Sequence, residues 1–155
     1  MVFQKKNKLA NGYTFKYNDD LVENVSHYTY LGIKISGPGD FTNGTDILSI
    51  KAKNALAALR KRLSIEKLPL TIVNRLFTSF CLPVCTYASE VWGEWLKDDF
   101  SYWDKHNIEK THLHFCKTFL RVNKKASNIG CRAEMGRFPI KIDIDIRKYL
   151  NTGFT

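Results

Sequence analysis

The sequence has no long apolar run. Its longest, Ala55 to Leu59, falls far short of the roughly 18 residues that a membrane span requires, which excludes a membrane-spanning helix. The opening MVFQKKNK lacks the hydrophobic region of a secretion signal, so the expectation is an unexported chain, intracellular, nuclear or cytoplasmic. Acidic residues are few beside basic ones, 15 against 24 for a net charge of +9. That balance favours an anionic partner, nucleic acid first and acidic membrane surface second. Proline is scarce, with four in 155 residues. No Pro-rich, Ser-rich or repeated tract argues for disorder. Cysteine is scarce too. Residues 81, 85, 116 and 131 lie in hydrophobic surroundings, which favours reduced core thiols over disulfides. A zinc site from Cys81, Cys85, His112, His114 and Cys116 meets two obstacles. Pro83 interrupts the first pair, and His112 and His114 point to different sides of a helix. The reading therefore assigns no metal.

What is present is apolar and aromatic, 44% and 13% of residues, enough for a folded core. From residue 1 to 36 the text alternates like strands: MVFQ, GYTFKY, LVENV and YTYLGIKIS. Turns fall at Asn11-Gly12 and Asn18-Asp19-Asp20. Gly37-Pro38-Gly39-Asp40 is the clearest break. Beyond it the hydrophobic period changes from two to 3.6. The expectation is an α+β chain, with a small antiparallel β unit over residues 1–36 and an all-α bundle over residues 41–155.

The first helix starts near Thr45-Asp46 and buries Leu48, Ala52, Ala55, Leu59 and Leu63. Lys51 and Arg62 fall along one edge of that stripe, Lys53 and Arg60 along the other. A second helix, LPLTIVNRLFTSF, begins at Pro69. Its wide apolar face of Ile72, Val73, Leu76, Phe77 and Phe80 predicts deep packing, with Pro83 bending or ending it. TYASEVWGEW then resumes as helix, and Tyr87, Trp92 and Trp95 read as packing residues. The third long helix, Asp104 to Val122, buries Ile108, Phe115, Phe119 and Val122. Opposite them Lys110, His114, Lys117 and Arg121 share a sector of roughly 60°. Such a row can follow a phosphate backbone, and it can equally be the solvated face of a basic protein. Ser127 to Met135 reads as a short helix stopped by Gly136. IKIDIDI at 140–146 fits a strand or a helix.

One stretch invites an enzymatic reading. Tyr17-Asn18-Asp19-Asp20 has the letters of a carboxylate box that holds two catalytic metal ions. Two-metal phosphoryl transfer needs carboxylates from separate strands converging on ions about 4 Å apart. The sixteen residues ahead of Tyr17 contain no Asp or Glu. Tyr13, Phe15 and Tyr17 alternate on one strand face and Asn18-Asp19-Asp20 has turn chemistry, so the stretch reads as a hairpin turn.

The order of segments carries a resemblance. MVF at 1–3, HYTYLGIKIS at 27–36, a basic helix, PLTIVNRLFTSFCLPVCTYASEVWG at 69–93, IEKTHLHFCKTFLRVNKK at 108–125 and AEMGRFPIKI at 133–142 follow one another. This succession resembles the latter part of the reverse transcriptase (an RNA-directed DNA polymerase) of LINE-type, non-LTR retrotransposons. The specific parts are Tyr30-Leu31-Gly32, Tyr87 with Ser89-Glu90-Val91-Trp92-Gly93, and Glu134 to Pro139. The resemblance implies that Met1-Val2-Phe3 match the strand after the catalytic carboxylates and that Tyr30, Leu31 and Gly32 match the primer grip leading into a helical thumb. It also implies that the metal-binding box lies upstream, with Mg2+ belonging to a full-length polymerase rather than to these residues. Cysteines at 81 and 85 depart from the aliphatics more usual there.

The function expected is therefore to bind and position an RNA–DNA hybrid or DNA duplex without reading its sequence. Lys51, Lys53, Arg60, Arg62, Lys110, His114, Lys117 and Arg121 are the candidate contacts, with no catalytic residue and no membrane. The palm and fingers of a longer polymerase are further candidate partners. The alternative is a protein-interaction module, or a retroelement fragment put to another use without a nucleic-acid role, that docks through an aromatic face around Trp92, Trp95 and Trp103.

Overall fold

The computed structural model describes residues 14–23, 25–37, 39–64, 67–95 and 99–151, with the side chains of Trp95 and Asn151 left aside. Met1-Val2-Phe3 and the Asn11-Gly12 turn lie outside the described residues. The chain is α+β, two antiparallel β-hairpins followed by a mostly helical region. It divides into two compact units, Met1–Gly44 and Thr45–Thr155.

In the first unit β1 (Phe15–Tyr17) pairs with β2 (Asp20–Val22), and β3 (His27–Tyr30) pairs with β4 (Ile33–Ser36). The expected single sheet is thus two separate hairpins. No residue of β1, β2 or β3 is buried, so their register rests on turn chemistry. Asn18 takes a left-handed φ of 52° in the first turn, a conformation its short amide tolerates. In the second, Leu31 (φ 47°) and Gly32 (φ 81°) link strands paired at Tyr30 and Ile33. Positive φ at both central residues matches the twist of a tight hairpin. The glycine suits that geometry and the leucine opposes it.

Helix α1 (Thr42–Arg62) begins three residues ahead of the expected Thr45. Asp40 causes this, because its carboxylate accepts from the Thr42 backbone N–H at 2.8 Å and from the Thr42 hydroxyl at 2.6 Å. The buried stripe is Thr45, Leu48, Ser49, Ala52 and Leu56. It is rotated from the expected one, so Leu63 is exposed.

Helix α2 (Leu70–Leu76) runs through a π turn, Phe77–Cys81, into α3 (Leu82–Cys85). The expected interruption at Pro83 takes this form. Proline cannot donate, and its ring crowds the carbonyl four residues back. The turn ahead of it widens accordingly, and Leu82 N–H donates to the Phe77 carbonyl five residues earlier. Val73, Phe77 and Cys81 face inward while Ile72 and Phe80 are exposed, so the deep packing expected of this helix is confined to one side.

After Ala88, left-handed at φ 52°, come α4 (Ser89–Trp92), a 3-10 turn (Gly93–Trp95) and α5 (Phe100–Trp103). Gly93 is required where α4 meets α8 (Ile140–Asn151). A Cβ there would stand 2.8 Å from Ile144 Cγ2 and 3.3 Å from Lys148 Cδ. The segment IKIDIDI is therefore helical. Ile140 and Ile144, one turn apart, are fully buried, while Lys141 and Asp145 pair at 2.7 Å along the same helix.

Helix α6 (Asn107–Phe119) is shorter at both ends than the expected 104–122. His106 caps its start by accepting from Ile108 N–H at 3.3 Å. At its end Arg121 adopts φ 55°. Arg121 N–H donates to the Thr118 carbonyl at 3.2 Å and Val122 N–H to the Lys117 carbonyl at 3.1 Å, the double bond of a Schellman cap. Helix α7 (Asn128–Glu134) follows, with Ser127 as its N-cap. Its Schellman cap uses Gly136 (φ 62°), with Gly136 N–H on Ala133 O and Arg137 N–H on Arg132 O, both at 2.9 Å.

The core of the second unit is polar as well as apolar. Phe77 stacks on Phe115 at 4.3 Å, and Trp92 and Trp103 are buried. Beside them lies the fully buried Glu109. One of its oxygens accepts from Trp103 Nε1 at 2.8 Å and from Ile140 N–H at 2.9 Å. The other accepts from His112 Nδ1 at 3.1 Å and Arg132 Nη1 at 3.0 Å. Burial pushes this carboxyl up, but the His112 contact and the other hydrogen bonds outweigh it and hold it below the usual range. Arg137 Nε–H donates to His112 Nε2 at 2.9 Å, which places the imidazole proton on Nδ1, facing Glu109. The Arg137 guanidinium also lies 4.5 Å over the Phe77 ring.

All four cysteines are buried and free. Burial raises the Cys81 thiol to about 11 and those of Cys85 and Cys116 to about 12, so they pack as small apolar groups.

Candidate nucleic-acid interface

Helices α1 and α6 meet through polar contacts near their N-terminal ends. Asn107 Nδ2 donates to Asp46 Oδ1. Ser49 Oγ donates to the Asn107 carbonyl at 3.1 Å and meets Thr111 Oγ1 at 2.9 Å. Beyond these contacts Lys53 on α1 and His114 on α6 are exposed. Arg60, two turns beyond Lys53, lies on the same edge.

The electrostatics of His114 reflect nearby cations. Partial desolvation first, then the cations of Arg60, Lys53 and Lys124, hold its imidazole below the ordinary value. Charges from α1 and from the loop after α6 thus act on one side chain. Next to it is a groove of about 410 Å³. Asp104, Lys110, Leu113, His114, Lys117, Thr118, Val122, Lys124 and Asn128 line it.

The groove is held from behind. Lys117 Nζ donates to the Lys124 carbonyl at 2.8 Å, which ties the loop to the helix and fixes that ammonium in place. Lys110 Nζ reaches Asn107 Oδ1 at 3.4 Å. Asp104 takes Arg132 Nη1 at 2.8 Å and Asn128 Nδ2 at 3.3 Å. Burial pushes its carboxyl up, and the bonds from Arg132 and Asn128 bring it below the usual range. The one carboxylate lining the groove is therefore already paired.

Of the sequence-selected residues, Lys110, His114 and Lys117 line the groove, and Lys53 and Arg60 act electrostatically on His114. Lys51 and Arg62 are exposed on α1, and no described contact ties them to the groove. Arg121 does not continue the row of α6, because it sits beyond the helix end in the left-handed region. Lys124 was missed. Periodicity stops where the helix stops, and the signal that could have found it is the Asn123-Lys124-Lys125 turn that follows.

Tyr30, Leu31 and Gly32 form the exposed tip of the β3–β4 hairpin, Leu31 at 74% exposure. Asp19 lies in the β1–β2 turn and Asp20 opposite Tyr17 in the strand pair. Among the described residues no group of three or more His, Cys, Asp or Glu side chains could hold a metal ion. Trp92 and Trp103 are buried in the second unit's own core at 1% and 0% exposure, which removes them from any docking face. No family model, curated protein or solved structure matches the chain.

Proposed function

We propose that the chain binds nucleic acid through the joint surface of α1 and α6, holding the backbone of an RNA–DNA hybrid or DNA duplex without reading its sequence. On this reading it acts as the thumb of a LINE-type reverse transcriptase and positions a primer–template rather than extending it. The observation that carries the proposal is the lining of one groove by Lys110, Lys117 and Lys124, with Lys117 Nζ held on the Lys124 carbonyl at 2.8 Å and the cations of Arg60 and Lys53 acting on His114 beside it.

Cations near the C-terminal ends of α1 and α6 gain from the helix dipoles, which accounts for Arg60 and Lys117 singly. It does not account for Lys110, Lys117 and Lys124 lining one groove on α6 and the loop after it. Phosphates bound along such a surface release condensed counterions.

The test is the salt dependence of hybrid binding. Replacing Lys53, Lys110 and Lys124 together with glutamine should flatten the log–log slope by about 0.9 for each lost contact to a B-form duplex. Replacing Lys51 and Arg62 should leave it nearly unchanged. An unchanged slope in the triple variant refutes the proposed surface.

A further inference from the structure

A track for a duplex backbone needs exposed cations and no concavity. This surface has exposed cations and a concavity as well. Paired and stacked bases shield one another and can only lie over a cleft, whereas an unpaired base can enter it. The groove volume of about 410 Å³ lies at the low end of the roughly 300–1,000 Å³ of pockets that hold small organic ligands.

Its lining is chemically divided. Leu113 and Val122 give an apolar wall, and Lys110, Lys117 and Lys124 give a cationic rim. Asn128 is oriented by its bond to Asp104, which leaves its amide oxygen able to accept. Val122 supplies an independent sign. It follows the left-handed residue of a Schellman cap, a position that ordinarily packs back on the helix. Here Val122 is 41% exposed along the groove.

Resting on the nucleic-acid reading above, we infer that the groove receives the base of one unpaired nucleotide. Its flanking phosphates then lie on Lys117 and Lys124. The ligand class is single-stranded nucleic acid, free or adjoining the duplex, and recognition of the base is by shape and apolar contact.

The experiment compares three labelled probes on the full chain by fluorescence anisotropy: a single strand of about six nucleotides, the same strand made abasic, and a blunt hybrid. Apolar burial of the base against Leu113 and Val122 should make the intact strand bind about fivefold more tightly than the abasic one. Val122→Glu, which puts a charged side chain in place of the apolar wall, should bring that ratio to about one, with folding checked by circular dichroism. Methyl resonances of Leu113 and Val122 in the unaltered protein should shift with the intact strand and not with the abasic one. Equal affinity for intact and abasic strands, with the hybrid still bound in a salt-dependent way, overturns this inference and leaves the backbone reading standing. Failure of all three probes to bind overturns both.

Discussion

Acid should destabilise the second unit through one histidine, and the geometry of His106 sets the size of the effect. Its ring lies 4.5 Å from Trp103, within 11° of parallel, and 6.3 Å from Trp92, within 8°. It also caps α6 by accepting from Ile108 N–H, a role that requires an unprotonated Nδ1. Burial pulls this imidazole down to about 4 against the attractions of Asp46 and Glu109, with Lys110 adding to the depression. A base whose folded value is depressed contributes stability that is present above its unfolded value and lost as pH falls through the folded one. With about 4 in the fold and 6.5 in the unfolded chain, linkage at about 1.36 kcal/mol per pH unit gives a loss of about 3 kcal/mol between pH 7 and pH 4. Carboxylates titrate in the same window, so the assay is a difference. Urea unfolding of the unaltered protein and of His106→Asn is followed at each pH, asparagine keeping a capping oxygen. The unaltered protein should lose about 3 kcal/mol more than the variant on acidification. An NMR titration should find the His106 ring unprotonated at pH 5. A ring that titrates near 6.5, or equal losses in both proteins, would refute the reasoning.

Two further perturbations have effects of opposite sign. Glu109→Gln removes the charge at the centre of a buried network and turns an amide N–H toward donors from Trp103, Ile140, His112 or Arg132. Chemical denaturation should record a loss of about 3–5 kcal/mol, the usual cost of breaking a buried pair on one side, and a loss below about 1 kcal/mol would show the network to be dispensable. Arg121→Gly relieves a left-handed residue that costs an L-amino acid about 1–2 kcal/mol. Less the entropy a glycine adds to the unfolded chain, it should raise stability by up to about 1 kcal/mol in the same assay.

Much of the fold was legible because it obeys local rules. The shift of hydrophobic period after residue 40, the short helix starting near Ser127, the Gly136 stop and the turn at Asn18-Asp19 each have a physical cause within a few residues. Boundaries moved where a side chain outside the pattern intervened, as Asp40 does ahead of α1 and His106 ahead of α6. IKIDIDI was ambiguous because a period of two and a period of 3.6 both put Ile140 and Ile144 on one face. The buried polar core was not legible at all. Glu109, His112 and Arg132 sit at positions where a helix would ordinarily show charge to solvent, and only the meeting of α5, α6, α7 and α8 supplies the donors that make burial tolerable.

The two Schellman caps separate structure from what lies beyond it. Both make the same pair of backbone bonds and both need a residue with positive φ. After α7 that residue is Gly136, the choice local energetics dictate. After α6 it is Arg121, which opposes them, followed by an exposed Val122 and then Lys124. Leu31, left-handed at a hairpin tip where asparagine would suit, repeats the conflict on the other unit. Strain of about 1–3 kcal/mol held at particular residues points to demands other than folding. At Arg121 the demand has a physical candidate in the cationic surface beside it, so the glycine variant that firms the helix end should also weaken hybrid binding. A gain in stability with unchanged affinity would leave the strained arginine without that explanation.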